Sequence, residues 1–400
     1  MAALLNNEMM ELGKAPNAIR AMFEYGINRA EEIGADNIYN YSIGNPSIVP
    51  PKQFDEAIDD LQKNMNAVEL HGYSLTPGDK AFRTAIAQNL TKRFGVRADR
   101  NNVFITCGCT AALAICIKTI TTKPEDEIIA FIPYFPEYRV FVEDIGATFV
   151  ECDADEEEFQ INFDSLEKLL NPNTKAIIVN TPNNPTGTVL RDDVVKRLVK
   201  LLHDKETEYG HAIYIISDEP YREIVYDGIK VPFFPNEYKN TFVCYSFSKS
   251  LSVPGDRIGY IFVPDEIEDK YDTYKTLVGS ARAMSFVCAP MFLQQICTRC
   301  LDVTSDLEVY KKNRDILYGA LVELGFDVVH PDGAFYLWMK APGGDADAFV
   351  EIAKKYELLL VTGSTFACNK YVRLAYCVDE DMIRRSLPAF EKLAKEVGLK

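Results

Sequence analysis

Lys249 stands in the run Ser246-Phe247-Ser248-Lys249-Ser250, just behind an apolar stretch and eight residues before Arg257. A lysine after two short hydroxyl residues is an odd place for a merely solubilising charge. Desolvation or nearby cations lower an ammonium pKa and turn the amine into a nucleophile. Arg257, in Pro254-Gly255-Asp256-Arg257-Ile258-Gly259, carries a planar fork suited to phosphate. In Thr106-Cys107-Gly108-Cys109-Thr110, Gly108 allows a tight turn. The N–H groups of Cys109 and Thr110, with the Thr110 hydroxyl, would then lie at a helix N-terminus, which binds phosphate well. Plain turn and cap chemistry accounts for the same residues. Asn180-Thr181-Pro182-Asn183-Asn184-Pro185-Thr186-Gly187 has two prolines that restrict the backbone, so Asn184 presents a rigid amide; a structured turn is the other reading. In Ser217-Asp218-Glu219-Pro220-Tyr221, a buried Asp218 facing a basic ring nitrogen would keep that nitrogen protonated, because a nearby anion favours the cation. An isolated D-x-x-Y has little specificity of its own.

Each of these segments ends a predicted strand. Apolar, β-rich runs occur at 103–106, 127–132, 147–151, 176–180, 213–217, 241–245 and 258–263, with helical patterns between several of them. Runs apolar on both faces and separated by helices predict a mostly parallel sheet covered on both sides. Such open sheets place ligands beyond the carboxyl ends of their strands, so the segments are expected to converge there. Helices are predicted over 17–35, 55–65 and 80–95, the last stopped by Gly95. Beyond residue 300 the pattern changes. A charged helix near 305–324 precedes FDVVH, GAFYLWMK, a helix at 346–355, LLLVTG, YVRLAYC and a C-terminal helix. Two or three strands with helices on one side predict a smaller α+β domain. The fold class expected is α/β: a large domain with a mostly parallel seven-stranded sheet between helices, and a smaller α+β domain.

Composition narrows the function. The 400 residues hold 43 Lys+Arg against 59 Asp+Glu, a formal charge of −16, with 47% hydrophobic and 26% charged residues. This is the balance of a folded soluble protein, and its net field repels nucleic acid and anionic membranes. No apolar run reaches the roughly 18 to 20 residues of a membrane helix. The opening stretch MAALLNNEMMELGK lacks a basic region followed by a long apolar one, which predicts no secretory signal and a cytoplasmic protein. Ten cysteines are neither dense nor regularly spaced; Cys109, Cys116, Cys244 and Cys377 read as small core residues of a reducing compartment. Cys107/Cys109 and Cys297/Cys300 invite a metal hypothesis, but the four histidines are scattered and no second C-x-x-C follows, so no metal is expected.

The combination N-N-P-T-G, D-E-P-Y, S-F-S-K-S and G-D-R-I-G closely resembles the class I/II aminotransferases of the aspartate aminotransferase superfamily, the fold-type-I pyridoxal-phosphate enzymes. The match runs in order from about Ile43 to Arg373. The resemblance implies pyridoxal 5'-phosphate as cofactor, bonded covalently to Lys249. It implies Asp218 at the pyridine nitrogen, with Tyr221 and Asn184 at the phenolic oxygen. The N–H groups of Cys109 and Thr110, the hydroxyls of Ser246 and Ser248, and Arg257 would hold the phosphate. Tyr73, in Y-x-x-x-x-G, resembles the tyrosine that reaches the neighbouring subunit's phosphate, which implies a homodimer. Phe135, in P-Y-F-P-E-Y, takes the place of the ring-stacking aromatic. Arg373, in Y-V-R-L-A, resembles the clamp on the substrate α-carboxylate, with Gly44 packed close to it. The domains implied are 50–300 for the cofactor, and 1–49 with 301–400 for a smaller, substrate-closing domain.

In such a site the protonated pyridinium acts as electron sink and the freed Lys249 amine as general base and acid. The expected activity moves an amino group between an L-amino acid and a 2-oxo acid. Aspartate or glutamate, or aromatic amino acids, are the expected donors, and 2-oxoglutarate the acceptor. A C–S β-lyase or a decarboxylase would use the same Lys249 and ring contacts. Phe135 lacks the indole N–H common at its position, and no residue clearly matches a cation for a side-chain carboxylate; Arg139, Lys275 and Arg282 are candidates. A nicotinamide oxidoreductase is excluded, since no G-x-G-x-x-G follows the strand at 103–106.

Overall fold

The computed structural model describes residues 5–14 and 18–399. Expectations that touch residues 1–4, 15–17 and 400, including the first residue of the helix predicted over 17–35, lie outside the described residues. The chain forms two compact units. The larger takes Pro46–Lys311 and Pro331–Ala334; the smaller takes the chain up to Asn45, Lys312–His330 and the chain from Phe335 onward. The first boundary therefore falls four residues before the 49/50 expected, and the second eleven residues after the 300/301 expected. Residues 301–311 stay with the larger unit because the Ser305 N–H bonds the Ser250 carbonyl at 2.9 Å and Lys311 pairs with Asp227 at 3.1 Å. Pro331–Ala334 stays with it too: the N–H groups of Asp332 and Gly333 both reach the Gly187 carbonyl at 2.9 Å.

Seven strands build the larger unit's sheet: β1 (Val103–Thr106), β2 (Glu127–Phe131), β3 (Thr148–Cys152), β4 (Thr174–Asn180), β5 (Tyr214–Asp218), β6 (Thr241–Ser246) and β7 (Gly259–Phe262). Their order is β1-β7-β6-β5-β4-β2-β3. The pairs from β6 to β3 are parallel, while β7 runs antiparallel to both β6 and β1. Side chains alternate faces along a strand. Ile128, Ile178, Ile216 and Cys244 join one core with the helix α1 (Cys109–Ile120). Their neighbours Ile129, Ile177 and Ile215 pack on the other face with Leu198 and Leu202 of the helix Asp192–Tyr209. Each such isoleucine contributes about 1.5–3 kcal/mol by leaving water. Because both faces are covered, the strands read as continuous apolar runs. The helix Lys80–Phe94 stops at Gly95, whose φ of 72° suits a residue without Cβ.

The smaller unit holds a four-stranded antiparallel sheet of β8 (Val328–Val329), β9 (Tyr336–Lys340), β10 (Val361–Thr362) and β11 (Tyr371–Ala375), ordered β10-β11-β9-β8. Two or three strands were expected; the two-residue edges β8 and β10 are too short to carry a period-two pattern. Trp338 of β9 anchors the unit, stacking on Tyr371 at 5.4 Å and taking Phe366 edge-on at 5.8 Å.

Behind the carboxyl end of β5 lies a buried ion pair, Glu219–Arg222. The guanidinium also sits over the rings of Phe94, Phe233 and Tyr245 at 5.3, 5.3 and 4.8 Å. Replacing Arg222 by methionine strands the Glu219 carboxylate and is expected to lower the unfolding free energy by about 3–5 kcal/mol. Urea unfolding measures this. The double variant Glu219→Leu/Arg222→Met is expected to recover most of the loss, and a single variant as stable as the parent would contradict the cost of the stranded carboxylate.

Candidate active site

Helix α1 begins with no side-chain cap and no acidic residue in its first turn. Its N-cap, Gly108, has φ +86°, and a Cβ there would lie 2.8 Å from the Arg257 guanidinium. Gly259, the first residue of β7, passes so close that a Cβ would meet the Tyr245 carbonyl at 2.3 Å and Gly108 at 3.1 Å. Two glycines thus let the β1–α1 turn, the end of β6 and the start of β7 meet. Arg257 itself adopts φ 55° and ψ 63°, uncommon for a residue with a side chain. Its Nη1 donates to the Pro254 carbonyl at 2.9 Å, and its Nη2 reaches the Thr110 hydroxyl at 3.2 Å. At the end of β6 the buried Ser246 hydroxyl donates to that of Ser248 at 2.6 Å and accepts the Ser248 N–H at 3.1 Å. Free helix-start N–H groups, hydroxyls and a guanidinium form a donor set that fits a phosphate dianion.

Asp218 ends β5 and is 5% exposed. Its partners are neutral. The Cys109 thiol donates to Oδ1 at 2.9 Å, the Tyr138 hydroxyl donates to Oδ2, and Asn180 Nδ2 lies 3.4 Å from Oδ2 and donates to the main-chain carbonyl at 2.8 Å. Burial pushes the carboxyl up to about 6 although both the thiol and phenol bonds pull the other way; the Glu219 charge adds to the rise. A buried carboxylate held by neutral donors fits a cationic N–H such as a pyridinium. Asn180 also accepts the Asn184 N–H at 2.7 Å, tying the buried Asn184 to the same strand end.

Lys249 lies half-buried in the one-turn helix α2 (Phe247–Ser250) directly after β6. Tyr221 is buried in the turn after β5, its carbonyl accepting the Ile224 N–H at 2.8 Å. Phe135 is half-buried and meets the Tyr138 ring edge-on at 5.7 Å. Tyr73 is different: it is 91% exposed and has almost no packing partner within its own chain. In the smaller unit, Arg373 of β11 is buried, its Nη2 donating to the Ser42 carbonyl at 2.6 Å and its guanidinium lying over the rings of Tyr336 and Phe366 at 4.5 and 5.0 Å. Gly44 is required nearby, since a Cβ would strike the Tyr336 hydroxyl at 2.2 Å.

Sequence reading gave no part to Tyr138 or to the Asn180 side chain, and took Cys109 as a backbone donor and a small core residue. The Cys109 side chain is buried as expected, yet it is a donor to Asp218 rather than inert filling. Tyr138 lies in the first turn of the helix Glu137–Asp144, three residues beyond Phe135, and its hydroxyl donates to Asp218.

The chain matches the family model described as aminotransferase class I and II over residues 36–390. An amino transferase from Eubacterium rectale has the same fold, with a TM-score of 0.97 and 48% identity over 99% of each chain. A probable aspartate aminotransferase of Methanocaldococcus jannaschii is 29% identical, covering 94% of this chain and 97% of its own. Aromatic-amino-acid aminotransferase 2 of Thermococcus litoralis is 29% identical, covering 96% and 97%.

Asp218 links this site to pH. Its folded pKa of about 6 lies above its ordinary 3.8, so the folded chain holds the proton longer and loses stability as pH rises through that window. At 1.36 kcal/mol per pH unit the loss is about 3 kcal/mol, complete above pH 7. In cofactor-free protein, Asp218→Asn is therefore expected to be more stable than the parent at pH 7 by about that amount and equal to it near pH 4. Thermal unfolding at both pH values checks it; an advantage of the same size at pH 4 would rule out titration of Asp218 as its origin.

Proposed function

The chain belongs to the class I and II aminotransferases, and from that premise we propose that its larger unit holds pyridoxal phosphate at Lys249 and Asp218 while Arg373 binds the substrate α-carboxylate. The chain is a transaminase, and its family works with pyridoxal phosphate. The lyase and decarboxylase alternatives are not favoured, since the relatives are named as aminotransferases. One observation carries the site reading. Asp218 pairs in register with Cys244 of the parallel strand β6, and Lys249 follows that strand, so carboxylate and amine issue from the carboxyl ends of neighbouring strands.

When bound, the cofactor supplies an electron sink through its protonated ring. Asp218, ionised, accepts the ring N–H and holds the proton there. Lys249 would hold the cofactor through its Nζ, and its free amine would take the proton from the substrate Cα. Asn184 and Tyr221 hold the phenolic oxygen, Phe135 stacks on the ring, and the N–H groups of Cys109 and Thr110 with Ser246, Ser248 and Arg257 hold the phosphate. Arg373 would fix the carboxylate by its planar fork, with Gly44 packed close by.

The donors are aspartate or glutamate, or aromatic amino acids, with 2-oxoglutarate as acceptor; both classes appear among the relatives' names. The working form is a homodimer in which Tyr73 completes the neighbouring subunit's phosphate site. The exposure of Tyr73, together with Val49, Val68 and Leu75 of the same unit, supports it. A cytoplasmic location agrees with ten free cysteines. Among the described residues no helix is long and apolar enough to cross a membrane.

Borohydride reduction of the loaded enzyme followed by peptide mass analysis is expected to leave the cofactor mass on Lys249, and Lys249→Ala is expected to abolish turnover. Cofactor mass on another lysine would overturn the assignment. Arg373→Leu is expected to lower kcat/KM for every amino donor by on the order of a hundredfold or more, the effect of removing one side of a buried charge pair. Adding each amino acid alone to the loaded enzyme, and following conversion of the cofactor by absorbance, assigns the donor class. Light scattering is expected to give twice the chain mass, and a fully active monomer would sink the dimer.

A further inference from the structure

A carboxylate has two oxygens and about four acceptor positions, so which positions the protein fills decides which remain for a ligand. On Asp218, Tyr138 occupies part of Oδ2 and Cys109 part of Oδ1. The Cys109 Sγ lies 2.9 Å from Oδ1 and 3.1 Å from the Cys244 carbonyl, the residue paired with Asp218 on the neighbouring strand. A thiol has one proton for these two acceptors. The Cys244 carbonyl already receives the Glu219 N–H at 2.8 Å and does not depend on the thiol. An ionised carboxylate is the stronger acceptor of the two.

We infer that Cys109 is a positioning residue: its thiol proton, poised between Asp218 and the Cys244 carbonyl, goes to Asp218 whenever that carboxylate is ionised, fixing its orientation and favouring its charge. The inference rests on the reading that Asp218 meets the cofactor's ring nitrogen. Burial keeps the thiol protonated, with its pKa well above the ordinary value, so it remains a donor throughout the working range. The same residue opens α1, so its main-chain N–H serves the phosphate cradle while its side chain serves the ring carboxylate. A single residue thereby couples two parts of one ligand site.

The consequence is an acid limit on cofactor capture. The titratable groups packed around Asp218 are Cys109 from α1, Tyr138 from the helix Glu137–Asp144, Cys244 from β6, and Glu219 on its own turn, whose charge Arg222 meets. Lys249 lies on the helix that follows β6. Of the donors, Cys109 and Tyr138 pull the carboxyl toward ionisation. Removing the thiol raises the pH at which Asp218 ionises, and with it the pH at which the cofactor is released.

The test uses the full chain, stripped of cofactor and titrated back with pyridoxal phosphate between pH 5 and 8. In parallel, the Asp218 carboxyl is followed by carbon-13 NMR in the cofactor-free protein and assigned by its loss in Asp218→Asn. Cys109→Ala is expected to raise both the acid midpoint of binding and the carboxyl midpoint by about one to two pH units, the effect of losing one hydrogen bond to a charged acceptor. Cys109→Ser, which keeps a donor, is expected to leave both midpoints at or below the parent's. Equal rises in the alanine and serine variants would mean a packing effect and overturn the inference. An unmoved midpoint in Cys109→Ala would overturn it as well, provided Asp218→Asn weakens binding and abolishes the acid limb. Should Asp218→Asn bind with the parent's affinity and pH profile, the reading of Asp218 itself fails. If the alanine protein does not fold, the serine variant alone decides, since a raised midpoint there contradicts a donor role.

Discussion

A negative charge kept in a dry interior without a cation of its own is the constraint on which this molecule is organised. Asp218 is buried at a strand end, and water is the partner it has lost. A thiol and a phenol return some of that solvation, enough to hold the carboxyl near 6 but not at its ordinary value. The residual cost is what makes the site selective. A ligand that brings a proton on nitrogen gains more there than it would at a solvated carboxylate. The parallel register of β5 with β6, the core on both faces and the two glycines at the turn all serve to hold that charge beside an amine and a phosphate-shaped donor set.

The neighbouring Glu219 shows the opposite solution one residue further along. It too is buried, but it receives Arg222 and a hydroxyl from Ser217 at 2.7 Å. Adjacent carboxylates on one turn are thus treated differently because the chain sends one toward the ligand side and the other into an aromatic cage.

Much of this was legible in the sequence, for identifiable reasons. Six of the seven strands of the larger sheet were readable because they are buried on both faces, while the edge strand β3 exposes Thr148 and Glu151; Gly95 marked a helix end by its missing Cβ. Strand ends were legible through their polar residues, which is how Asp218, Lys249, Ser246 and Thr110 came into view. What stayed hidden depends on distance along the chain. The Cys109–Asp218 bond joins residues 109 apart, and the Tyr138–Asp218 bond residues 80 apart, with no local spacing to announce either. The two-residue strands β8 and β10 lie within FDVVH and LLLVTG, but are too short for a period-two pattern to separate them as strands. Where Arg373 rests, on the Ser42 carbonyl, is a contact across 331 residues that no local spacing announces.

The reversal of β7 has a consequence for how such a site can change over time. A parallel partner for β6 would need a crossover of a dozen or more residues. Because β7 runs the other way, its first residue lies beside the last of β6, and the chain returns through one compact stretch. That stretch contains Ser246, Ser248, Lys249 and Arg257, so the amine and the guanidinium travel as one cassette. Insertion or deletion there shifts both anchors together. Drift in substrate preference is therefore channelled into the other loops, where the chain can vary without losing its grip on what it carries.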